Sequence, residues 1–484
     1  MLIGHKQYKF LSGARLRPMF LVALMFCTFI FTSQSCMSYQ RTNQQLQMKL
    51  IQGRYQDAEN LLAGNKRIKK QRNRLLYLFN RGYLAMMLGK HDESIKYFME
   101  ADNIIKEERN SYLNEALAML VNPSVKTYHA EDFEEVMVHY FQMMNFLTLG
   151  NSESALVEVR RMNLVLNQMN DKWGQKNKYK DDAFAHLMMG LIYESTRDYN
   201  NAFIAYRNAY NTYESDYKEN FGISAPLQLK KDLIRTAKLT GFNNEVLHYE
   251  ELFGLKYEPN ESNRELILLW NNGLSPIKDQ WSVDFTVVRQ SSDMVYFVNN
   301  QFGFSFPFPI GHLSEDNKKN LFGLQVIRIA FPRYLSRPSV FQNASLMING
   351  SKLIFEQAQN IEGIAHKSLS DRFAREMGNA LLRFALKKST ELALRKESKE
   401  AGMILGLANA LTEQADIRNW QSLPAQISYL RIPLQEGSNK LVLNLKDAHQ
   451  VISRTDTIVV DARPGLQFKQ VFHLQSFPPG VLHW

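Results

Sequence analysis

Two stretches of this chain place small and aromatic residues at the same offsets, and that restricts the fold more than any other feature. Counting from Gly82, the positions seven, twelve, sixteen and nineteen residues on are Gly89, Ser94, Phe98 and Ala101. Counting from Gly190, those offsets hold Arg197, Ala202, Tyr206 and Ala209, with Tyr193 three residues on. Apolar residues at helical spacing run through both stretches and break once, near the seventh offset. Each stretch is therefore expected to form two antiparallel helices. Small residues let the helices approach, and aromatic rings fill the space between neighbouring pairs. One such pair cannot bury its apolar face alone, so several must stack.

This is the tetratricopeptide pattern. Partial copies carry Gly53, Tyr55 and Ala58; Gly150 and Ala155, with Met143 at the first glycine position; and Gly241. The turn positions Gly53, Gly89, Gly150, Arg197 and Gly241 are 36, 61, 47 and 44 residues apart, against a usual period of about 34. The array is therefore interrupted, at Asn122-Pro123-Ser124 and at the polar, Lys-rich residues 171–182 around Gly174. A solenoid presents surface, which favours binding over catalysis.

The first 17 residues carry Lys6, Lys9, Arg15 and Arg17 and no acid. Residues 19–31 are mainly apolar, and Thr32-Ser33-Gln34-Ser35-Cys36 follows. That is the layout of a signal peptide. Thirteen residues of helix rise only about 20 Å, short of the roughly 30 Å hydrocarbon core. Small residues before a cysteine resemble a bacterial lipobox, although Ser33 stands where leucine is commonest. The other cysteine, Cys27, lies inside the apolar run, so Cys36 is the only one left after processing. Lipidation of Cys36, a palmitate-type anchor, is expected in preference to the alternative of an uncleaved signal anchor, and Met37 after it points to the outer membrane, facing the periplasm. The net charge of +10 falls to +6 without the leader. That suits nearness to anionic lipid and is too small for a nucleic-acid partner. With no further cysteine, the body has neither a disulfide framework nor a cysteine metal site.

The expected division is a leader over 1–35, a helical solenoid over 36–260, and an α+β domain over 262–484. In the last, L-I-L-L-W at 266–270 reads as a strand ending at Asn271-Asn272-Gly273. Phe302, Phe304, Phe306 and Phe308 alternate as one buried strand face, which the intervening prolines place at a sheet edge. A helix is expected over about 360–412, with Ala374, Met377, Leu381, Phe384 and Ala385 on one face. Gly402–Ala408 is small and apolar, far too short to span a bilayer, and suggests close helix packing. Residues 426–475 alternate again, as a small antiparallel β-unit built on that helix, and Phe477-Pro478-Pro479-Gly480 is an extended tail.

Several charged groups have both a binding and a packing reading. Lys66-Arg67-Ile68-Lys69-Lys70-Gln71-Arg72-Asn73-Arg74 is either a solvated helix start or a patch held near lipid headgroups. Glu158, Arg160 and Arg161 either meet a partner on the concave face or pair within the solenoid. Asp416, Arg418 and Trp420 stand where helical periodicity gives way to alternation. They either plug that junction, with Trp420 buried and Asp416 on Arg418, or anchor a partner, as Trp and Arg often do. Asp132, Glu134 and Glu135 form an acidic helix start that suits the helix dipole. No G-x-S-x-G, H-E-x-x-H or Walker A motif occurs, and the eleven histidines lack ligand spacing. Neither a metal nor a cofactor is called for.

Four segments together resemble a family of uncharacterised, tetratricopeptide-containing bacterial lipoproteins. They are Y-H-A-E-D-F-E-E-V-M-V-H-Y-F-Q-M-M-N-F-L-T-L-G-N-S-E-S-A-L-V-E-V-R-R-M-N at 128–163, L-W-N-N-G-L-S-P-I-K at 269–278, I-R-I-A-F-P-R-Y at 327–334 and T-E-Q-A-D-I-R-N-W-Q-S-L-P at 412–424. Phe146 departs from the family's usual Asn-Tyr. The resemblance implies architecture and an envelope location, with a loose link to cell-wall synthesis, and no mechanism. Two functions stay open. One is an envelope scaffold or assembly factor that engages a protein through the solenoid. The other is an envelope hydrolase or transferase with its site in 262–484. An open concave groove would favour the first, and a deep polar cleft with converging titratable groups the second.

Overall fold

The computed structural model describes residues 40–65, 68–110, 126–172, 181–259, 262–311, 315, 318, 326–397 and 415–479. The leader with Cys36, Lys66-Arg67, Asn122-Pro123-Ser124, Gly174, residues 402–408, Gln414 and Gly480 lie outside them.

Five helix pairs are present among the described residues. They are α1 (40–51) and α2 (Tyr55–Gly64), α3 (Arg74–Met87) and α4 (His91–Asn110), α5 (Asp132–Thr148) and α6 (Ser152–Lys172), α7 (Ala183–Ser195) and α8 (Tyr199–Thr212), and α9 (Leu227–Thr240) and α10 (Asn243–Phe253). Every turn inside a pair is built alike. Gly53, Gly89, Gly150, Arg197 and Gly241 all have positive φ, between 62° and 85°. The amide after each bonds the carbonyl five residues back: Arg54 to Lys49, Lys90 to Ala85, Asn151 to Phe146, Asp198 to Tyr193, Phe242 to Ala237. This is the Schellman closure, and Arg197 adopts it without the glycine that normally relieves it.

The offset of sixteen has a steric cause. A Cβ on Gly190 would lie 2.3 Å from Tyr206 Cδ1, and one on Gly82 would lie 2.8 Å from Phe98 Cε1. Each ring lies against the glycine of the preceding helix, so the two positions belong together. After α8 a π turn (Tyr213–Tyr217) and Lys218–Phe221 carry the chain on. That turn aims Tyr213 Oη at the Ala358 carbonyl, 2.6 Å away, and Tyr217 Oη at Asp182 Oδ1, 2.9 Å away.

Among the described residues, three four-stranded sheets follow. The central one has the order β12-β1-β9-β8, from Gly465–His473, Arg264–Asn272, Gln426–Pro433 and Glu356–Asn360. The second is β11-β10-β6-β7, from Ile452–Ala462, Gly437–Lys446, Asn343–Ile348 and Ser351–Ile354. The third is β4-β3-β2-β5, from Phe304–Pro309, Met294–Asn299, Ile277–Arg289 and Val326–Leu335.

L-I-L-L-W is continuously apolar because β1 is covered on both faces. Ile267 and Leu269 enter the core of the helix pairs, whereas Leu266, Leu268 and Trp270 pack on the second sheet. Asn271 and Asn272 remain in β1, so the turn begins only at Gly273. Residues 426–475 do not form a unit of their own. β9 and β12 join the central sheet, β10 and β11 the second, and β12 runs parallel to β1. Alternation sets which face of a strand is buried and leaves its neighbour undetermined.

β4 is an edge strand with Phe304, Phe306 and Phe308 packed inward. Phe302 lies in the turn before it, 44 % exposed. The long helix α11 (Ile361–Glu397) covers this sheet through Phe373, Met377, Ala380, Leu381 and Phe384. Ala374, expected on that face, is exposed, and Phe373 takes its place.

Candidate functional site

The inner face of the solenoid is occupied by the chain itself. Buried residues of α3, α5, α7 and α9 share one core with Ile267 and Leu269 of β1, Ile427 and Tyr429 of β9, and Trp420. Arg431 of β9 fastens the layers from the sheet side. It donates to Glu194 Oε1 at 2.8 Å and to Glu265 Oε2 at 2.5 Å, while Arg235 of α9 reaches Glu194 Oε1 at 2.7 Å. Burial alone would raise Glu194, but Arg431 and Arg235 outweigh it and hold the carboxyl at about 2. Removing one member would strand charge in the interior, so the network makes the two layers interdependent.

The segment 415–423 runs as a strap between the first helix pairs and the β1–β2 turn. Trp420 is fully buried: it stacks on Phe79 at 4.5 Å, with Tyr83, Phe98 and Phe141 around it. Its indole N–H donates to Ser422 Oγ at 2.8 Å, and Ser422 to Asn80 Oδ1 at 2.7 Å. Arg418 pairs with Asp416 at 2.6 Å and donates to the carbonyls of Arg72 and Lys126, both at 3.0 Å. Asn419 grips the entry to β2, donating to the Pro276 carbonyl and accepting from the Lys278 amide. Of the three residues singled out at this junction, Trp420 and Arg418 face inward, and neither presents a surface to a partner.

Two carboxyl groups beside the strap are driven apart by their surroundings. Glu134 accepts from the Trp420 amide at 2.6 Å, the Glu131 amide at 3.0 Å and the Tyr128 hydroxyl. Burial, reinforced by the charge of Glu131, pushes it up to about 7. Glu131 is buried as well, yet Lys278 and Arg372 both pair with it and hold it at about 2. Separated carboxyl pKa values often mark an acid–base pair. Here Glu134 has no exposure at all, so the pair works as a lock between loop, helix and strap. A cleft of about 280 Å³ opens beside it, lined by Glu131, Lys278, Arg372, Glu376 and Asp416 among others. Among the described residues, no group of three His, Cys, Asp or Glu side chains is arranged to hold a metal.

Sequence reasoning read Glu134 only as part of an acidic helix start. The spacing Glu131-x-x-Glu134 was a usable signal, because a side chain at the third helical position commonly reaches back to the cap amide. Lys278 and Arg372 carried none. Their partner Glu131 lies 147 and 241 residues away.

The outer face holds a second depression, of about 400 Å³, where α4 and α6 flank α5. Two of its lining residues, His139 and Arg161, share a partner: Glu158 accepts from His139 Nδ1 and from Arg161 Nη1, each at 2.8 Å. His139 Nε2 also faces Asp102, 3.9 Å away, and Lys106 pairs with Asp102 at 2.5 Å. Arg161 stands at the rim with Leu164, 54 % exposed, while Val157 and Met99 are exposed on α6 and α4. Arg160 turns toward α7, where it donates to Tyr193 Oη. Of the three α6 residues, Arg161 therefore lines the depression, Glu158 pairs with two of its lining residues, and Arg160 turns away from it. All three pair within the solenoid, and none meets the sheet-covered face.

Tetratricopeptide repeat sequences match residues 76–108, so the chain carries at least one such repeat. Part of the chain is similar to MamA, with 15 % identity over 42 % of this chain and 89 % of that one and a TM-score of 0.27. BtubC from P. vanneervenii gives 13 % identity over 49 % and 90 %, with a TM-score of 0.33. The Rap conjugation gene regulator of plasmid pLS20, solved with the Phr* peptide, gives 18 % over 44 % and 49 %, with a TM-score of 0.26. No curated protein sequence matches the chain.

Proposed function

We propose that this chain is a lipid-anchored scaffold or assembly factor of the bacterial cell envelope, and that it meets its protein partner on the outer face of the repeats, along the depression between α4 and α6. The observation that carries this reading is the occupation of the inner face by the central sheet and the Trp420 strap. Helix pairs serve as scaffolds through whatever face they leave open. Here that face combines exposed Met99, Val157 and Leu164 with the charges of Lys106 and Arg161. An apolar centre with an arginine at its edge is the usual composition of a binding patch.

The anchor is supported by Cys36, the one cysteine following the apolar run of the leader. Among the described residues, no helix is long and apolar enough to cross a membrane. The proposed location is the outer membrane, with the body in the periplasm. Fatty-acid labelling tests the anchor. Cys36→Ser should abolish label and leave an unprocessed precursor, and a labelled Cys36→Ser protein would sink the assignment. A photo-crosslinking residue at Leu164 tests the face. It should capture a defined envelope protein, lose it on Arg161→Glu, and not share it with a crosslinker at Val459. Capture of the same protein from both positions would refute the site.

A second reading, an envelope hydrolase or transferase, has one observation in its favour: Lys278, Arg372 and Asp416 converge with Glu131 in the inner cleft. It requires turnover that Asp416→Asn abolishes at an unchanged unfolding midpoint. Joint loss of turnover and stability would assign the cleft to folding.

A further inference from the structure

Between α2 and α3 the chain passes through Ile68-Lys69-Lys70-Gln71-Arg72-Asn73-Arg74. Ile68 is buried in the solenoid core, and its amide donates to Asn65 Oδ1 at 3.3 Å. The Asn65 side-chain amide donates in turn to Thr42 Oγ1 at 2.9 Å. Thr42 stands in the first turn of α1. The loop is thus pinned beside the end of α1 that leads back to Cys36. Antiparallel packing produces this placement, since the chain runs out along α1 and returns along α2.

Pinned through Ile68 and Asn65, the loop leaves Lys69, Lys70 and Gln71 exposed. Lys69 stands 5.7 Å from the Tyr77 ring centroid, whereas Arg74 is taken up by Glu100 at 2.5 Å. Among the described residues, neither Lys69 nor Lys70 faces a carboxylate within ion-pair distance. Arg41, in the first turn of α1 next to Thr42, is exposed as well. Only four peptide units separate residue 36 from the start of α1, a reach of at most about 14 Å. That is comparable to the distance over which a charged surface acts at physiological salt, roughly 8–10 Å.

We propose that this loop is a second membrane contact, in which Lys69, Lys70 and Arg41 rest on the headgroups of anionic phospholipids and fix how the solenoid stands on the bilayer. The inference rests on Cys36 being the anchor. Each basic side chain near such a surface strengthens the contact roughly fivefold. The acyl chains retain the protein, and the basic contact removes its freedom to swing.

The test uses the full-length protein purified from membranes and reconstituted into vesicles of phosphatidylcholine, with or without phosphatidylglycerol. An amine-acetylating reagent is applied, and lysines are followed individually by mass spectrometry. Lys69 and Lys70 should be labelled about fivefold or more slowly on the anionic vesicles, while Lys352 and Lys440 on the second sheet are labelled equally on both. Raising the salt well above physiological ionic strength should abolish the difference. Equal labelling of Lys69 and Lys70 on the two vesicle types overturns the proposal, and so does protection that survives high salt. The mass of the N-terminal peptide reads the anchor separately. Acylated Cys36 with unprotected lysines refutes the headgroup contact alone. Unmodified Cys36 with salt-sensitive protection refutes the anchor and leaves the contact standing.

Discussion

Replacing Trp420 with alanine removes an indole that is wholly enclosed by three helices. Its ring stacks on Phe79 at 4.5 Å and 21°, meets Tyr83 edge-on at 6.2 Å and 89°, and lies 5.8 Å from Phe141 and 6.0 Å from Phe98. Truncation of a buried tryptophan costs about 3–5 kcal/mol. The upper half of that range is expected, because the neighbours stand on packed helices and cannot collapse into the space. The polar loss is small. Ser422 keeps its bond to Asn80, and the backbone amide at position 420 still reaches Glu134. Trp420→Phe retains the stacking on Phe79 and gives up the indole N–H bond and part of the volume, so about 1–2 kcal/mol is expected. Urea unfolding followed by far-ultraviolet circular dichroism, with a second probe to check for a single transition, measures both. An alanine variant with an unchanged midpoint would refute the burial argument. A phenylalanine variant as damaged as the alanine one would show that polar contacts, and not packing, hold the strap.

Arg197 holds a left-handed conformation, φ 62°, on an exposed turn. Arg197→Gly should therefore raise stability by roughly 0.5–1 kcal/mol in the same titration, and a loss would mean that its side chain contributes more than the strain costs. Ala202 is fully buried, and a Cβ at Gly190 would meet the Tyr206 ring at 2.3 Å. Ala202→Leu and Gly190→Ala should each lower stability by roughly 1–3 kcal/mol, and unshifted melting curves would contradict the close-packed crossing. Glu134 binds its proton up to about pH 7 in the folded protein against an ordinary 4.5. Stability should therefore fall as pH rises through that window, by about 3 kcal/mol, and Glu134→Gln should remove the fall when midpoints at pH 5 and pH 8 are compared. Glu131, held at about 2, works in the opposite direction, and its contribution is lost as pH drops below about 4.5.

The helix pairs were legible in the residues because their causes are local. A glycine and the ring sixteen positions on belong to one helix pair, so Gly82 with Phe98 and Gly190 with Tyr206 declare their contact within a single repeat. The turn at Arg197 was legible as well, from its offset and in spite of its side chain. The same holds for the edge strand with its alternating phenylalanines, where period and proline position act over a few residues. Strand partners were not legible: alternation identifies a buried face, and β12 shows its own pattern while its neighbour β1 lies some two hundred positions earlier in the chain. Nor could the residues of α6 or of the strap reveal which way they face. Whether a charge on a helix meets a partner, a neighbouring helix or the chain's own sheet depends on what packs beside it. The sequence alone determined that helix pairs would stack and that Trp420 would mark a junction. Only the tertiary structure decided that the central sheet fills the inner face, because burial of L-I-L-L-W on both sides demands a second apolar layer. The inner helices supply that layer, which leaves the outer face of the repeats uncovered by the sheet.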